Sequence, residues 1–312
     1  MLENLDVTSV TIKLPFRLNH VNCFIAEGAD GWTIIDTGLH DLEAYNSWKP
    51  FLDSRKISDI IVTHHHPDHY GFAGGLQEMT GAKVFMSKIE HETASAIIKK
   101  ERDETLKENY LNCGIPKKVV EDMTNTETSF NQMVSPHPQV SGHLKAGDKF
   151  QFGRYEYEIF DAPGHADGLI TFFNKENSVL FSTDHILPKI TPNISYHFYG
   201  ESNPLEQYIT SLREYKKLEA ELVIPSHGKP FKNANKRIDE ILKHHDERLV
   251  QIIDIVKVPS TVFDVCLKLF GENLTSHEMR FAIGETISHL EYLINRGECS
   301  KDIFKGIFQY QV

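Results

Sequence analysis

Cysteine is scarce in this chain of 312 residues: Cys23, Cys113, Cys266 and Cys299 stand far apart, with no CxxC spacing. That scarcity argues against a disulfide framework or a thiolate zinc knuckle and fits reduced, structural thiols. Long apolar runs are missing too. No stretch approaches the ~20 residues that a bilayer-crossing helix needs. The opening Met1-Leu2-Glu3-Asn4-Leu5-Asp6 has neither the basic nor the apolar region of a signal peptide. The expectation is a cytoplasmic protein with no membrane partner. Positive charge is short as well: 33 Lys and Arg against 44 Asp and Glu leave a net charge of -11. Such a balance repels phosphate backbones and disfavours nucleic acid as a partner.

What the chain does hold is histidine in a pattern. Ile60-Ile61-Val62-Thr63, a short run suited to a buried strand, leads straight into His64-His65-His66-Pro67-Asp68-His69. Imidazoles and a carboxylate converging at a strand end suit zinc, manganese or iron. Three later segments repeat the punctuation. Tyr155–Phe160 runs into Asp161-Ala162-Pro163-Gly164-His165. Val179–Thr183 ends in Asp184, and Leu222-Val223-Ile224 ends in Pro225-Ser226-His227. Scattered core histidines would not recur at strand ends in this way, so the pattern reads as a metal site.

The remaining organisation is coarser. Asn22–Ala26 and Trp32–Ile35 read as a hairpin, and Asp41 to Ser54 as a helix. Asp36 reads as a turn-capping carboxylate, with a group that orients a metal-bound His as the sharper option. Gly71, Gly74 and Gly75 start a helix beside the His-rich loop, where bulk would obstruct the site. Residues 89–118 look helical and heavily charged, with Lys99-Lys100-Glu101-Arg102-Asp103-Glu104 at the centre, and could cover the site like a lid. The polar stretch from there to Ser141, with Pro116, Pro136 and Pro138, reads as loop. Asn235 to Val256 carries a helical apolar stripe in which His244 and His245 are ordinary helix residues. Thr275-Ser276-His277-Glu278 is a capping-box sequence before another helix that stops at Gly297, and a strand pair follows from Lys301 to Tyr310. His277 and His289 read as core or surface positions.

The ordered set His64, His66, Asp68, His69, His165, Asp184 and His227 resembles the HxHxDH…H…D…H signature of the metallo-β-lactamase superfamily. The resemblance covers roughly the first 230 residues. It implies an α/β fold, an αββα sandwich over residues 1–232 with a helical insertion at about 89–118, and two divalent metals at one sheet edge. Zinc is favoured, with iron or manganese as alternatives. By the family pattern His64, His66 and His165 hold one metal, Asp68, His69 and His227 the other, and Asp184 bridges them. The metal-bridging hydroxide would be the nucleophile. No Cys occupies a ligand position, a departure from true β-lactamases that is similar to the glyoxalase II, lactonase and phosphodiesterase branches. Residues 233–257 are then a linker helix. Residues 258–312 resemble the winged-helix-like tail of some superfamily members, a small and mostly helical unit.

That tail holds five Lys/Arg against seven Asp/Glu, which favours packing or homodimer contacts over nucleic acid. The expected activity is hydrolysis of a small-molecule ester, thioester or lactone, with Asp68 and Asp184 in the catalytic centre. A metal-dependent phosphodiesterase or RNA endonuclease is the alternative. The loop after Asp184 must pass the substrate, so Tyr196 is a candidate oxyanion donor and His197 a helper or leaving-group contact.

Overall fold

A computed structural model describes residues 2–99 and 103–312, with the side chains of 103 and 126–132 also outside the description. Part of the charged run, residues 100–102, therefore lies outside the described residues.

The first sheet has the order β1 (Val7–Lys13), β2 (His20–Glu27), β3 (Trp32–Ile35), β4 (Ile57–Ile61), β5 (Lys83–Ser87), β6 (Val140–Leu144). The expected hairpin is β2–β3, and β3 to β6 run parallel. The second sheet runs from β7 (Lys149–Phe152) through β8 (Tyr155–Asp161), β9 (Ile170–Asn174), β10 (Val179–Thr183) and β11 (Leu222–Pro225) to β12 (Phe231–Lys232). Successive strand residues face opposite sides, and the burial follows that parity. Ile35, Ile61, Phe172, Phe181 and Ile224 fill the space between the sheets. Their neighbours Ile34 and Ile60 face outward onto Trp48 of α1 (Leu42–Leu52) and Leu76 of α3 (Ala73–Thr80). Helices thus flank two stacked sheets.

Local signals set several boundaries. Asp41 caps α1 by accepting from Ala44 N at 2.8 Å. Short α2 (Pro67–Tyr70) carries the end of the His-rich segment. Gly74 does not spare the site from bulk. A Cβ there would lie 1.9 Å from the Pro136 carbonyl oxygen, so it permits close packing of α3 on the chain at 136–137.

The insertion is longer than its composition implies. It contains α4 (Lys88–Ile98), α5 (Asp103–Asn112) and α6 (Lys117–Gln132). The stretch expected to be loop after residue 118 is thus helical as far as Gln132. Pro116 stands just before α6, where its missing N–H costs nothing. Val120 and Met123 bury one face of the helix.

On the outer face of the second sheet lie α7 (Pro204–Tyr215), α8 (Ala234–Ile255), α9 (Val262–Phe270) and α10 (Ser276–Asn295). The hairpin β13 (Ser300–Phe304) and β14 (Ile307–Gln311) follows. The capping box at Thr275 and Glu278 forms in both directions. A single apolar cluster joins Tyr110 and Met123 of the insertion, Tyr208 of α7, Ile238 of α8, Val265 of α9 and Ile283 of α10. The C-terminal helices therefore share a core with the insertion. All four cysteines are free and buried. Among the described residues no helix is long and apolar enough to cross a membrane.

Candidate metal centre

The ends of β4, β8, β10 and β11 meet at one edge of the two sheets, and each releases its His or Asp there. Three groups of side chains bring a ligand atom each within 4.8 Å of one another: His64, His66 and His165; His64, His69 and Asp184; Asp68, His69 and His227. The first and third are the two trios implied by the family pattern. The Asp184 carboxylate lies between them, with Oδ2 3.5 Å from His69 Nε2, 3.5 Å from His165 Nε2 and 3.2 Å from His227 Nε2. Thr183, directly before Asp184, holds φ at 48°, a conformation that is costly for a β-branched residue and that fits strain held at a functional site.

Several of the atoms that face the centre are left unpaired, while His64 Nε2 and His66 Nδ1 lie 3.0 Å from each other. Nε2 of His69, His165 and His227 and Oδ1 of Asp184 are buried without a hydrogen-bond partner. Burying such groups unpaired costs a few kcal/mol each, roughly 1–3 by mutational measure. A cation would satisfy them together. The opposite ring nitrogens are held: His69 Nδ1 by Asp36 Oδ2 at 2.8 Å, His165 Nδ1 by the Asn193 carbonyl at 2.8 Å and His227 Nδ1 by the His20 carbonyl at 2.7 Å. Thr63 Oγ1 lies 3.0 Å from His64 Nδ1 and donates to Asp36 Oδ2 at 2.9 Å. Ligating imidazoles in metal sites are commonly oriented through their second nitrogen in this way. The residues present therefore fit a divalent metal centre.

Burial holds His64 and His66 well below the ordinary imidazole range, with neighbouring imidazoles adding to the effect. Burial also lowers His165, against the pull of Asp184. At His69 burial acts in the same direction, but Asp68, Asp36 and Asp184 outweigh it and raise the imidazole well above its usual value. For Asp184 burial pushes upward, yet His227 and His69 prevail and hold the carboxyl well below the usual range. His64, His66 and His165 are thus held towards the neutral form that a metal binds, whereas His69 and His227 are raised by the carboxylates beside them, so a metal would displace a proton there.

His65 turns away from the centre. Its backbone N–H donates to Glu90 Oε2 at 2.8 Å and its ring pairs with the same carboxylate, while Glu90 Oε1 accepts from Gly168 N at 2.7 Å. Fully buried Glu90 therefore ties the loop of His64 and His66 to the loop that follows His165. Sequence reasoning missed it. Ser87 and Glu90 have capping-box spacing, but only the Ser87 half of the box forms and the carboxylate faces inward.

A cavity opens onto His66 and His165, with about 910 Å³ between its atoms including the mouth. Ala94, Ile97 and Ile98 of α4 and Tyr110 of α5 give it an apolar wall, and Arg280, Phe281 and Gly284 of α10 close another side. From the loop after Asp184 come Asn193, Ser195, His197 and Tyr199. Tyr196 does not join them. Alternation along the extended chain turns it into the apolar core, against Phe198, and its partial burial raises the phenol pKa, with the Glu291 carboxylate adding to the effect. His197 faces the cavity, and burial followed by Arg280 pushes its pKa down to about 3. The contribution of α10 had no local signal in the sequence, because it depends on how the C-terminal helices dock.

Comparison with known proteins agrees with this geometry. Residues 17–227 match the Metallo-beta-lactamase superfamily profile, and residues 249–312 match a Metallo-beta-lactamase-like, C-terminal domain. A Beta-lactamase-like protein 2 homolog of Caenorhabditis elegans is 25% identical over 264 residues, covering 83% of this chain and 74% of the relative. A hydroxyacylglutathione hydrolase of Pseudomonas aeruginosa is 41% identical over 51 residues, 16% of this chain and 19% of its own. The crystal structure of a metallo-beta-lactamase family protein from Thermus thermophilus superposes with a TM-score of 0.86 at 27% identity, covering 98% of both chains. A beta-lactamase domain protein from Burkholderia ambifaria gives 0.88 at 26% identity, covering 98% of this chain and 92% of that one. With its family profile spanning most of the chain, the protein belongs to the metallo-β-lactamase superfamily, whose members are metal-dependent hydrolases.

Proposed function

We propose that this protein is a dinuclear metal hydrolase of a small ester, thioester or lactone. The observation that carries the reading is the pairing of two ligand trios, His64/His66/His165 and Asp68/His69/His227, with Asp184 between them. Two divalent ions, with zinc favoured by the imidazole and carboxylate donors, would lower the pKa of water toward ~7 and polarise the bond to be cleaved.

The chain's own residues supply the rest. Asp36, Asn193 and the His20 carbonyl fix the imidazole rings, and Glu90 fixes the two loops that carry His64, His66 and His165. The apolar wall of Ala94, Ile97 and Ile98 suits a hydrocarbon part of the substrate and keeps water off it. His197 stays neutral at neutral pH, so it can offer one hydrogen bond to the substrate in the cavity but no charge. It takes the place in this scheme that the sequence suggested for Tyr196. The similarity to a hydroxyacylglutathione hydrolase, confined to a short segment, supports the acyl-transfer class without selecting the acyl group.

The test is turnover by the metal-loaded protein on a panel of thioesters, an ester, a lactone, a phosphodiester and RNA, with His165→Ala as control. Cleavage of carbonyl substrates alone is expected. Cleavage confined to phosphodiester or RNA would replace this reading with the nuclease alternative.

A further inference from the structure

The peptide carbonyl that orients His165 belongs to Asn193, in a stretch of the loop with no regular secondary structure. Something outside the loop must hold that peptide in place. Helix α10 does so at several points. Asn193 Nδ2 donates to Glu285 Oε2 at 3.0 Å and to the Phe281 carbonyl at 3.3 Å. Tyr196 N donates to the Gly284 carbonyl at 3.0 Å. Within the loop, Ser195 Oγ donates to Asn193 Oδ1. The helix can come this close because position 284 is glycine: a Cβ there would stand 2.5 Å from Ser195 Oγ.

We propose that Glu285 is a positioning residue for the metal centre, acting through Asn193 on His165. The inference rests on the metal-centre reading above. Glu285 is partly buried, and desolvation raises its carboxyl pKa while Arg248 and the Asn193 amide oppose that shift. A carboxyl group in such a place keeps the Asn193 amide in one orientation. The Asn193 carbonyl then holds the Nδ1–H tautomer of His165 and leaves Nε2 directed at the centre. By this route the C-terminal helix is part of the metal site, although no residue of it is a ligand.

The experiment is a chelator-competition titration of zinc on the 312-residue chain, on Glu285→Ala, Glu285→Gln and Asn193→Ala, and on the double variant Glu285→Ala/Asn193→Ala, with a melting curve of each metal-free protein. Glutamine keeps an oxygen that can accept from Asn193, so Glu285→Gln should bind zinc like the parent. Glu285→Ala and Asn193→Ala should each weaken binding about 10–100-fold. The double variant should be no weaker than either single one. If Glu285→Ala melts earlier yet binds zinc as tightly as the parent, Glu285 is a packing residue and the proposal falls. A parent chain that binds no zinc would instead overturn the metal-centre reading itself.

Discussion

Asp36 and His69 lie 33 positions apart, and Asp36 Oδ2 accepts a hydrogen bond from His69 Nδ1 at 2.8 Å in a fully buried setting. The same carboxylate accepts from Thr63 N and Thr63 Oγ1, both at 2.9 Å. One side chain thereby fixes a ligand ring and the entrance to the His64–His69 loop. Asp36→Ala should lower zinc affinity about 10–100-fold, read by chelator competition. Unchanged affinity would reduce Asp36 to a turn residue.

Asp184→Ala removes the carboxylate that reaches His69, His165 and His227. Turnover should be abolished and bound metal reduced, as measured by elemental analysis of the purified variant. Undiminished activity would mean that the two trios do not work as one centre.

His65 and its neighbours should separate cleanly. His64→Ala or His66→Ala should lose metal, whereas His65→Ala should keep it. Because His65 pairs with buried Glu90, its loss should appear in the melting temperature, by a few degrees for a destabilisation on the order of 1 kcal/mol. Equal loss of metal at all three positions would contradict the loop geometry.

A buried imidazole pair lies outside the metal centre. His245 Nδ1 and His289 Nε2 are 3.1 Å apart, and burial pushes His289 from 6.5 down to about 4. The imidazole is neutral in the fold and takes a proton on unfolding. Its contribution is full above pH 6.5 and is lost as pH falls towards about 4, by up to roughly 3 kcal/mol. Metal-free His289→Gln should therefore show a flatter fall in melting temperature between pH 6.5 and 4 than the parent. Parallel curves would show that His289 does not titrate on unfolding.

The candidate ligands could be picked out because they follow the ends of short apolar strands, where local sequence dictates both the strand and its termination. The hairpin, the cap at Asp41 and the capping box at Thr275 were legible for the same reason. Other features depend on what the folded chain brings together. The carboxylate of Glu90 meets Gly168 across 78 positions, and Asn193 meets Glu285 across 92. Nothing near those residues in the sequence announces the partner. Tyr196 shows the limit at a single residue: position along the loop was evident, but the face it turns was set by packing against α10. The polar composition of α6 concealed a helix whose apolar stripe is narrow.

The most direct measurement is to strip the protein of metal and restore zinc stepwise while following turnover of the best carbonyl substrate. Activity should be absent without metal, rise until two equivalents per chain are bound, and fail to return in Asp184→Ala. Turnover that persists in the stripped protein, or that is complete at one equivalent of metal, would contradict the account.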